Sequence, residues 1–372
     1  MKDERRARMA LMCVSEPGSP SMSALVGEHG PVGAWAKVCE QTESTWSRRA
    51  ASVDVDQVVN RTRELGLEFV IPGDPHWPTQ LETLDAVEVS GMGGAPLGLW
   101  IRGKQHDLNA LAERAVSVVG SRASSSYGEM MACDIAAEIS DRAWTVISGG
   151  AYGIDAAAHR GAMAGEGGTV CVLACGLDQD YPRQHHQLLA TIAEHGAVVG
   201  ELPPGARPMR SRFLGRNRII AGLSAGTVLI EAAHRSGAKN TVSWAESMGK
   251  PVFALPGPVS SSTSATPHEL IRSRSAELIT SGRDVLEFLA PYGQELLPLP
   301  EAETRPVDEL SRRQRSVFEH VPGSGPGETA QQIAAASGLP PGMVFAMLGE
   351  LLVKGFVVAS GNRWVMASGA VG

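Results

Sequence analysis

Residues 115–159 read AVSVVGSRASSSYGEMMACDIAAEISDRAWTVISGGAYGIDAAAH, and this stretch decides the fold. Two short apolar runs, AVSVVG (115–120) and WTVISG (144–149), enclose a helix-length segment, YGEMMACDIAAEISDR. Neither run alternates apolar with polar residues, so each strand is covered on both faces. The pattern repeats outward in TVCVLACG (169–176), AVVGEL (197–202), TVLIEAA (227–233) and PVFALPG (251–257). GIDAAAHRGAMAGE, PRQHHQLLATIAEHG and SGAKNTVSWAESMGK are helix-length segments between them. Apolar strands alternating with helices predict an α/β fold, a doubly wound and mostly parallel sheet over roughly residues 107–290.

The flanks read differently. PGSPSMSALVGEHGPVGAWAKV and TESTWSRRAASVDVDQVVNRTREL form two helical stretches and suggest a small helical N-terminal domain over 1–65. GLEFVIPGDPHWPTQL and PLGLWIRG (96–103) are two short lead-in strands, which opens the sheet domain at 66 and carries it to 290. PYGQELLPLPEAETRP (291–306), with four prolines and little periodicity, is a linker. In 307–372, VDELSRRQRSVFEHV, ETAQQIAAASGL and PGMVFAMLGELLVKG predict three helices. FVVASGNRWVM then predicts a hairpin turning at Ser360-Gly361-Asn362, the element order of a winged helix. Between Glu328 and Met366 the only basic residues are Lys354 and Arg363, too few for a helix that reads duplex DNA. A partner-binding or vestigial module fits that charge pattern better.

Composition narrows the function. Lys and Arg number 33 against 40 Asp and Glu, a net charge of −7, so any nucleic-acid surface is a local patch. No apolar run reaches the ~18 residues of a membrane span, and MKDERRARMALMCVSEPG is a poor signal peptide, so no membrane partner is expected. Five cysteines without a CxxC pair argue against a disulfide framework or a zinc site and favour the cytoplasm.

Parallel strands line up their carboxyl ends, where open α/β sheets bind ligands. Gly120-Ser121-Arg122 follows the first strand and Ser148-Gly149-Gly150 the second, while Ser236-Gly237 follows the fifth. Small residues there let backbone N–H groups approach an anion, although glycine after a strand also serves plain turn chemistry. GxGxxG with a following acid, and the P-loop, are both missing, which argues against nicotinamide and ATP; no cofactor and no metal is expected. The informative segment is RPMRSRFLGRNRIIAGLS (207–224), where Arg207, Arg210, Arg212, Arg216 and Arg218 occur without one acid. Guanidinium groups grip phosphates and Phe213 among them could stack a base, a combination suited to a single strand. The alternative is a solvated arginine face with Phe213 in the core, and Asn217 or Arg218 tying loops together. His159 reads as a core or interface histidine. Glu201 and Glu231 end strands on the ligand edge; pairing with neighbouring arginines is preferred over acid–base work on a glycosidic bond.

VVGSR, VISGGAYGIDAAAH, CGLDQDYP, RNRIIAGLS, VLIEAAHRSG and VFALPGP, in that order, resemble the DprA (Smf) family of DNA-processing proteins. The resemblance implies a Rossmann-like domain that forms a homodimer, binds single-stranded DNA and is not an enzyme. It implies protection of incoming strands in natural transformation and loading of the recombinase RecA. The family's GSR motif falls on Gly120, Ser121 and Arg122, and its strand-contacting basic and aromatic pair on Arg210 and Phe213. Around them the expected DNA contacts are Ser148, Gly149, Gly150, Arg216, Asn217, Arg218, Ser236, Gly237 and Lys239. Lys239 stands where relatives usually carry SGSLIT, and ATPHELIRSRSAELI lacks the usual Gly-Cys-Asn.

Two other functions compete. AGTVLIE (225–231) is superficially similar to the PGGxGTxxE loop of lysine-decarboxylase-like nucleotide phosphoribohydrolases, but without its Pro-Gly-Gly. A scaffold whose basic patch binds an acidic protein is the other.

Overall fold

The computed structural model describes residues 2–41, 43–290 and 310–367. The linker read at 291–306 lies outside the described residues. The chain forms two compact units, Met1–Gln294 and Glu295–Gly372.

The first unit is built on a nine-stranded sheet. Its strands are β1 (Glu68–Val70), β2 (Leu99–Gly103), β3 (Ala115–Val119), β4 (Thr145–Ser148), β5 (Thr169–Leu173), β6 (Ala197–Gly200), β7 (Gly226–Leu229), β8 (Val252–Ala254) and β9 (Glu277–Leu278). They lie in the order β1-β2-β6-β5-β4-β3-β7-β8-β9. β1 runs antiparallel to β2, and β2 to β6; all the other pairs are parallel. The central six are the six strands read from the sequence, and β1 and β2 are the two lead-in strands. Two-residue β9, at the far edge, is too short to show a periodicity.

Burial on both faces explains the unbroken apolar runs. In β3, Val116 and Val118 face a core with Ile135 and Ile139 of α6 (Ser126–Ser140), while Ala115 and Val119 face Ile219 and Leu223 of α9 (Arg210–Leu223). Successive strand side chains point to opposite faces, so a strand between two helical layers must be apolar at every position. Helices α5 (Leu108–Glu113), α8 (His186–His195), α11 (Ala265–Ser273) and α12 (Gly282–Leu289) add Leu108, Leu189, Leu270 and Val285 to the cores on the two faces. From β3 the chain winds through β4 and β5 to β6, then returns along α9 to place β7 on the other side of β3. The gap beyond the carboxyl ends of β3 and β7 is therefore the topological switch point.

The N-terminal helices α1 (Lys2–Val14), α2 (Pro20–Glu40), α3 (Thr45–Ala50) and α4 (Val55–Glu64) belong to the same unit as the sheet. Met9 and Met12 share a core with Phe69, Trp100 and Leu189, and Arg5 bonds Asp74 at 2.6 Å. α1 lies outside the two helical stretches expected here, yet its buried Ala7, Ala10, Leu11 and Val14 follow the helical spacing. α2 breaks at Gly30, whose φ of 66° precedes Pro31. The second stretch divides into α3 and α4 because Asp54 caps a new helix, accepting a bond from the Gln57 N–H.

In the second unit, α13 (Arg312–Phe318), a short strand Glu328–Thr329, α14 (Ala330–Ser337) and α15 (Pro341–Val353) precede a hairpin of Val357–Ser360 and Arg363–Met366. Its core joins Val317, Ile333, Val344, Leu348 and Trp364, and Gly361 turns the hairpin at φ 64°. The order is that of a winged helix, with no Lys or Arg in α15.

Candidate functional site

A groove of about 850 Å³ opens at the switch point. Gly120, Ser121 and Arg122 form one wall as β3 ends, and Arg235, Ser236 and Gly237 form another beyond β7. The first turns of α9 supply Arg210, Phe213 and Arg216, and Asn217 comes next. Arg122, Arg210 and Arg235 are exposed, and Arg210 and Arg235 make no hydrogen bond or ion pair among the described residues. Arg122 lies over the Phe213 ring with its guanidinium carbon 4.7 Å from the centroid, and the Tyr181 ring centroid is 5.6 Å from that of Phe213. The ring face attracts the cation and holds it beside an aromatic surface. A smaller recess of about 70 Å³ continues from this cluster over Gly149 and Gly150 to Tyr152.

Among the described residues, Asp155 is the one acidic side chain lining the groove. It is buried, and burial raises its pKa, while Arg216 and Arg122 act to lower it. Four arginines against one recessed carboxylate leave the groove strongly positive.

The expected contacts separate into two groups. Gly120, Ser121, Arg122, Arg210, Phe213, Arg216, Asn217, Ser236 and Gly237 come together around the groove, and Gly149 and Gly150 lie in the adjoining recess. Ser148, Arg218 and Lys239 line neither. The buried Ser148 hydroxyl donates to the Val118 carbonyl at 2.7 Å. Arg218, 1% exposed, forms two 2.6 Å bonds with Glu201 and a third at 3.0 Å to the Gly94 carbonyl. Lys239 faces Glu269 at 3.4 Å.

The other two residues of the RNR motif line the groove but are engaged with the protein. Arg216 Nη1 donates to the carbonyls of Gly149 and Val172 at 2.6 and 2.7 Å, joining the ends of β4 and β5. A Cβ on Gly149 would sit 1.9 Å from that nitrogen, so a side chain there would displace the Arg216 guanidinium from its carbonyls. Burial lowers the Arg216 pKa, with Asp155 opposing, and its Nε has no hydrogen-bond partner. Asn217 donates to the Gly237 carbonyl and to Asn240 Oδ1, fixing the start of α10 (Ala238–Ser247). RNR thus ties three loops of the rim together.

Of the two strand-end carboxylates, Glu201 pairs with an arginine as expected, whereas Glu231 does not. Glu231 accepts bonds from the Ser125 N–H and hydroxyl and from Thr263, holding the loop that caps α6. The reason is position: the N-terminus of α6 presents free donors to Glu231, and no arginine lies within ion-pair distance among the described residues. His159 is fully buried on α7 (Ile154–Ala162), its Nδ1 2.7 Å from Thr169 Oγ1. The sequence patterns do not single out Tyr181, Tyr152, Asp155, Arg235 or Asn240. Tyr181 is the next-to-last residue of the CGLDQDYP run after β5 and Arg235 comes after β7, so position after a strand is the available signal for both.

Fold and groove together define a class: doubly wound α/β proteins with a basic crevice at the switch point. Residues 68–290 match the family described as DNA recombination-mediator protein A. The chain is 42% identical over 385 aligned residues to the putative DNA processing protein DprA of Mycobacterium tuberculosis, covering 98% of this chain and 95% of that protein. The X-ray structure of DprA from Streptococcus pneumoniae superposes with a TM-score of 0.63 at 30% identity, over 75% of this chain and 95% of that one. DprA from Helicobacter pylori, at 24% identity and a TM-score of 0.51 over 60% of this chain and 95% of that one, shares the fold. This chain belongs to the DprA family of DNA recombination mediators.

Proposed function

We propose that the switch-point groove binds single-stranded DNA and performs no chemistry on it. Arg122, Arg210 and Arg235 hold phosphates, backbone amides around Gly120 and Ser121 add donors, and Phe213 and Tyr181 receive unpaired bases. The observation that carries this reading is the contact of Arg122 with Phe213 beside Tyr181, which puts cation and ring faces in one crevice. Duplex DNA would bring only phosphates to it, since its bases are already stacked. The solved H. pylori relative is described by its single-stranded DNA binding mode, which supports the same use of the shared fold. The reading extends to homodimeric action, protection of incoming strands and delivery of them to RecA, roles in keeping with a recombination mediator.

Gel-shift comparison of oligo-dT with duplex DNA tests the proposal. Arg122→Ala should weaken single-strand binding roughly tenfold, on the order of 1.4 kcal/mol. It should also lower the log–log salt slope by about 0.7. Unchanged affinity and slope would remove the proposal's main support. The phosphoribohydrolase alternative needs a free acid–base carboxylate, whereas both oxygens of Glu231 are engaged by Ser125 and Thr263.

A further inference from the structure

A second cleft, of about 420 Å³, lies between the end of α1, the loop after β6 and the first turn of α9. It shares one lining residue with the main groove, Met209, which is 52% exposed at the N-cap of α9. The two hollows therefore meet at that side chain. Arg207 and Arg210, both exposed, stand on either side of it in the chain.

The far wall of the second cleft is cationic as well. Arg212 donates from Nε and Nη2 to Glu16 at 2.8 and 3.0 Å, and from Nη1 to the Arg207 carbonyl at 2.7 Å. Glu16 lies 3.7 Å from Arg49, whose own Nη1 bonds the Val14 carbonyl at 2.9 Å. The Glu16 carboxylate, held by the Arg212 fork with Arg49 beside it, occupies the geometry a phosphate would take, because Arg binds both anions through the same fork. Arg49 is 46% exposed and Glu16 41%, so the cluster opens to solvent and to a larger anion on that side, while Arg212, 15% exposed, backs it. With Arg207 and Arg210 included, four arginines face one acid along this path.

We propose that the second cleft continues the strand-binding track: a single strand longer than the main groove passes Met209 and rests its phosphates on Arg207, Arg212 and Arg49. Glu16 then acts as an internal competitor that keeps Arg212 and Arg49 in place and weakens the hold on phosphate. The inference rests on the single-strand reading of the main groove and assigns the N-terminal helices a share in it.

Fluorescence anisotropy with two lengths of labelled oligo-dT separates the two ideas. A strand of roughly six nucleotides falls within the ~4–16 nucleotides a single site of this kind occupies, and one of roughly twenty-five exceeds it. Arg49→Gln should leave the short strand's Kd unchanged. For the long strand it should weaken binding roughly threefold and lower the salt slope by about 0.7. Arg49→Lys, which keeps a point charge, should restore the slope. Glu16→Gln should tighten the long strand alone. Arg122→Ala should weaken both lengths. Long-strand binding that ignores Arg49→Gln and Glu16→Gln, while Arg122→Ala weakens both lengths, overturns the second cleft and leaves the main groove standing. Equal loss on both lengths in Arg49→Gln overturns it too. Short-strand binding untouched by Arg122→Ala instead sinks the parent reading.

Discussion

At the first turn of α9, Arg210 is exposed at the groove with no bonded partner among the described residues. Two turns later, Arg216 and Arg218 are 6% and 1% exposed, their guanidinium groups closed on Gly149, Val172, Glu201 and Gly94. One helix thus carries the same residue type in two roles. The difference comes from how α9 crosses the sheet. Its start overhangs the strand ends, where water and ligand reach it, and its remainder lies against β3, β4 and β5. A buried guanidinium must find several acceptors, and the strand-end carbonyls and Glu201 supply them. Arg216 lines the groove with its guanidinium committed to carbonyls, and Arg218 stands behind it, paired with Glu201.

The sharpest way to break that contrast is stability. Arg218→Ala leaves Glu201 buried and unpaired and should lower unfolding free energy by about 3–5 kcal/mol. Arg210→Ala should stay within about 0.5 kcal/mol of wild type. Urea unfolding of the two variants reads the difference directly, and matching midpoints would abolish the distinction between the two ends of α9.

Acid titration probes the interior side of the same edge. Burial pushes the His159 pKa down from 6.5 to about 3, with Arg216 and His185 acting in the same direction. The folded state therefore keeps the ring neutral while the unfolded chain takes up a proton. The stability this group contributes is intact above pH 6.5 and is lost as pH falls from 6.5 toward 3, at up to about 1.4 kcal/mol per pH unit. His159→Gln should unfold with a shallower acid dependence than wild type; identical slopes would show that the ring is not held neutral.

Binding tests the exposed side. Phe213→Ala should lower single-strand affinity by about 1–3 kcal/mol for each base it stacks. Arg210→Ala should have a smaller effect, lowering the salt slope by about 0.7 while the unfolding midpoint holds. Anisotropy at several salt concentrations resolves both. A Phe213→Ala variant with wild-type affinity would reduce the groove to a phosphate grip alone.

The winding of the sheet was legible because each central strand had to be apolar on both faces, and AVSVVG or TVCVLACG can hardly be anything else. The GSR turn was legible from the strand before it, since residues that directly succeed a parallel strand lie on the ligand edge. Arg216 and Arg218 were less so. In RNRIIAGLS nothing local tells a cation that meets solvent from one that meets a carbonyl, and the spacing of Arg210, Arg216 and Arg218 is the same in either case. The partner of Lys239 was equally illegible, since Glu269 lies thirty residues on in sequence and 3.4 Å away in space.

The chain's order of residues by itself determined the layers, the strands and the edge at which a ligand is met, because backbone period and burial are written in neighbouring side chains. Tertiary structure alone decided which arginines remain free. Acceptors for Arg216 and Arg218 come from β4, β5 and the segment after β6, brought together only when the sheet closes around its switch point. A guanidinium group is a rim contact or an interior tie according to the partners that folding brings within about 3 Å of it.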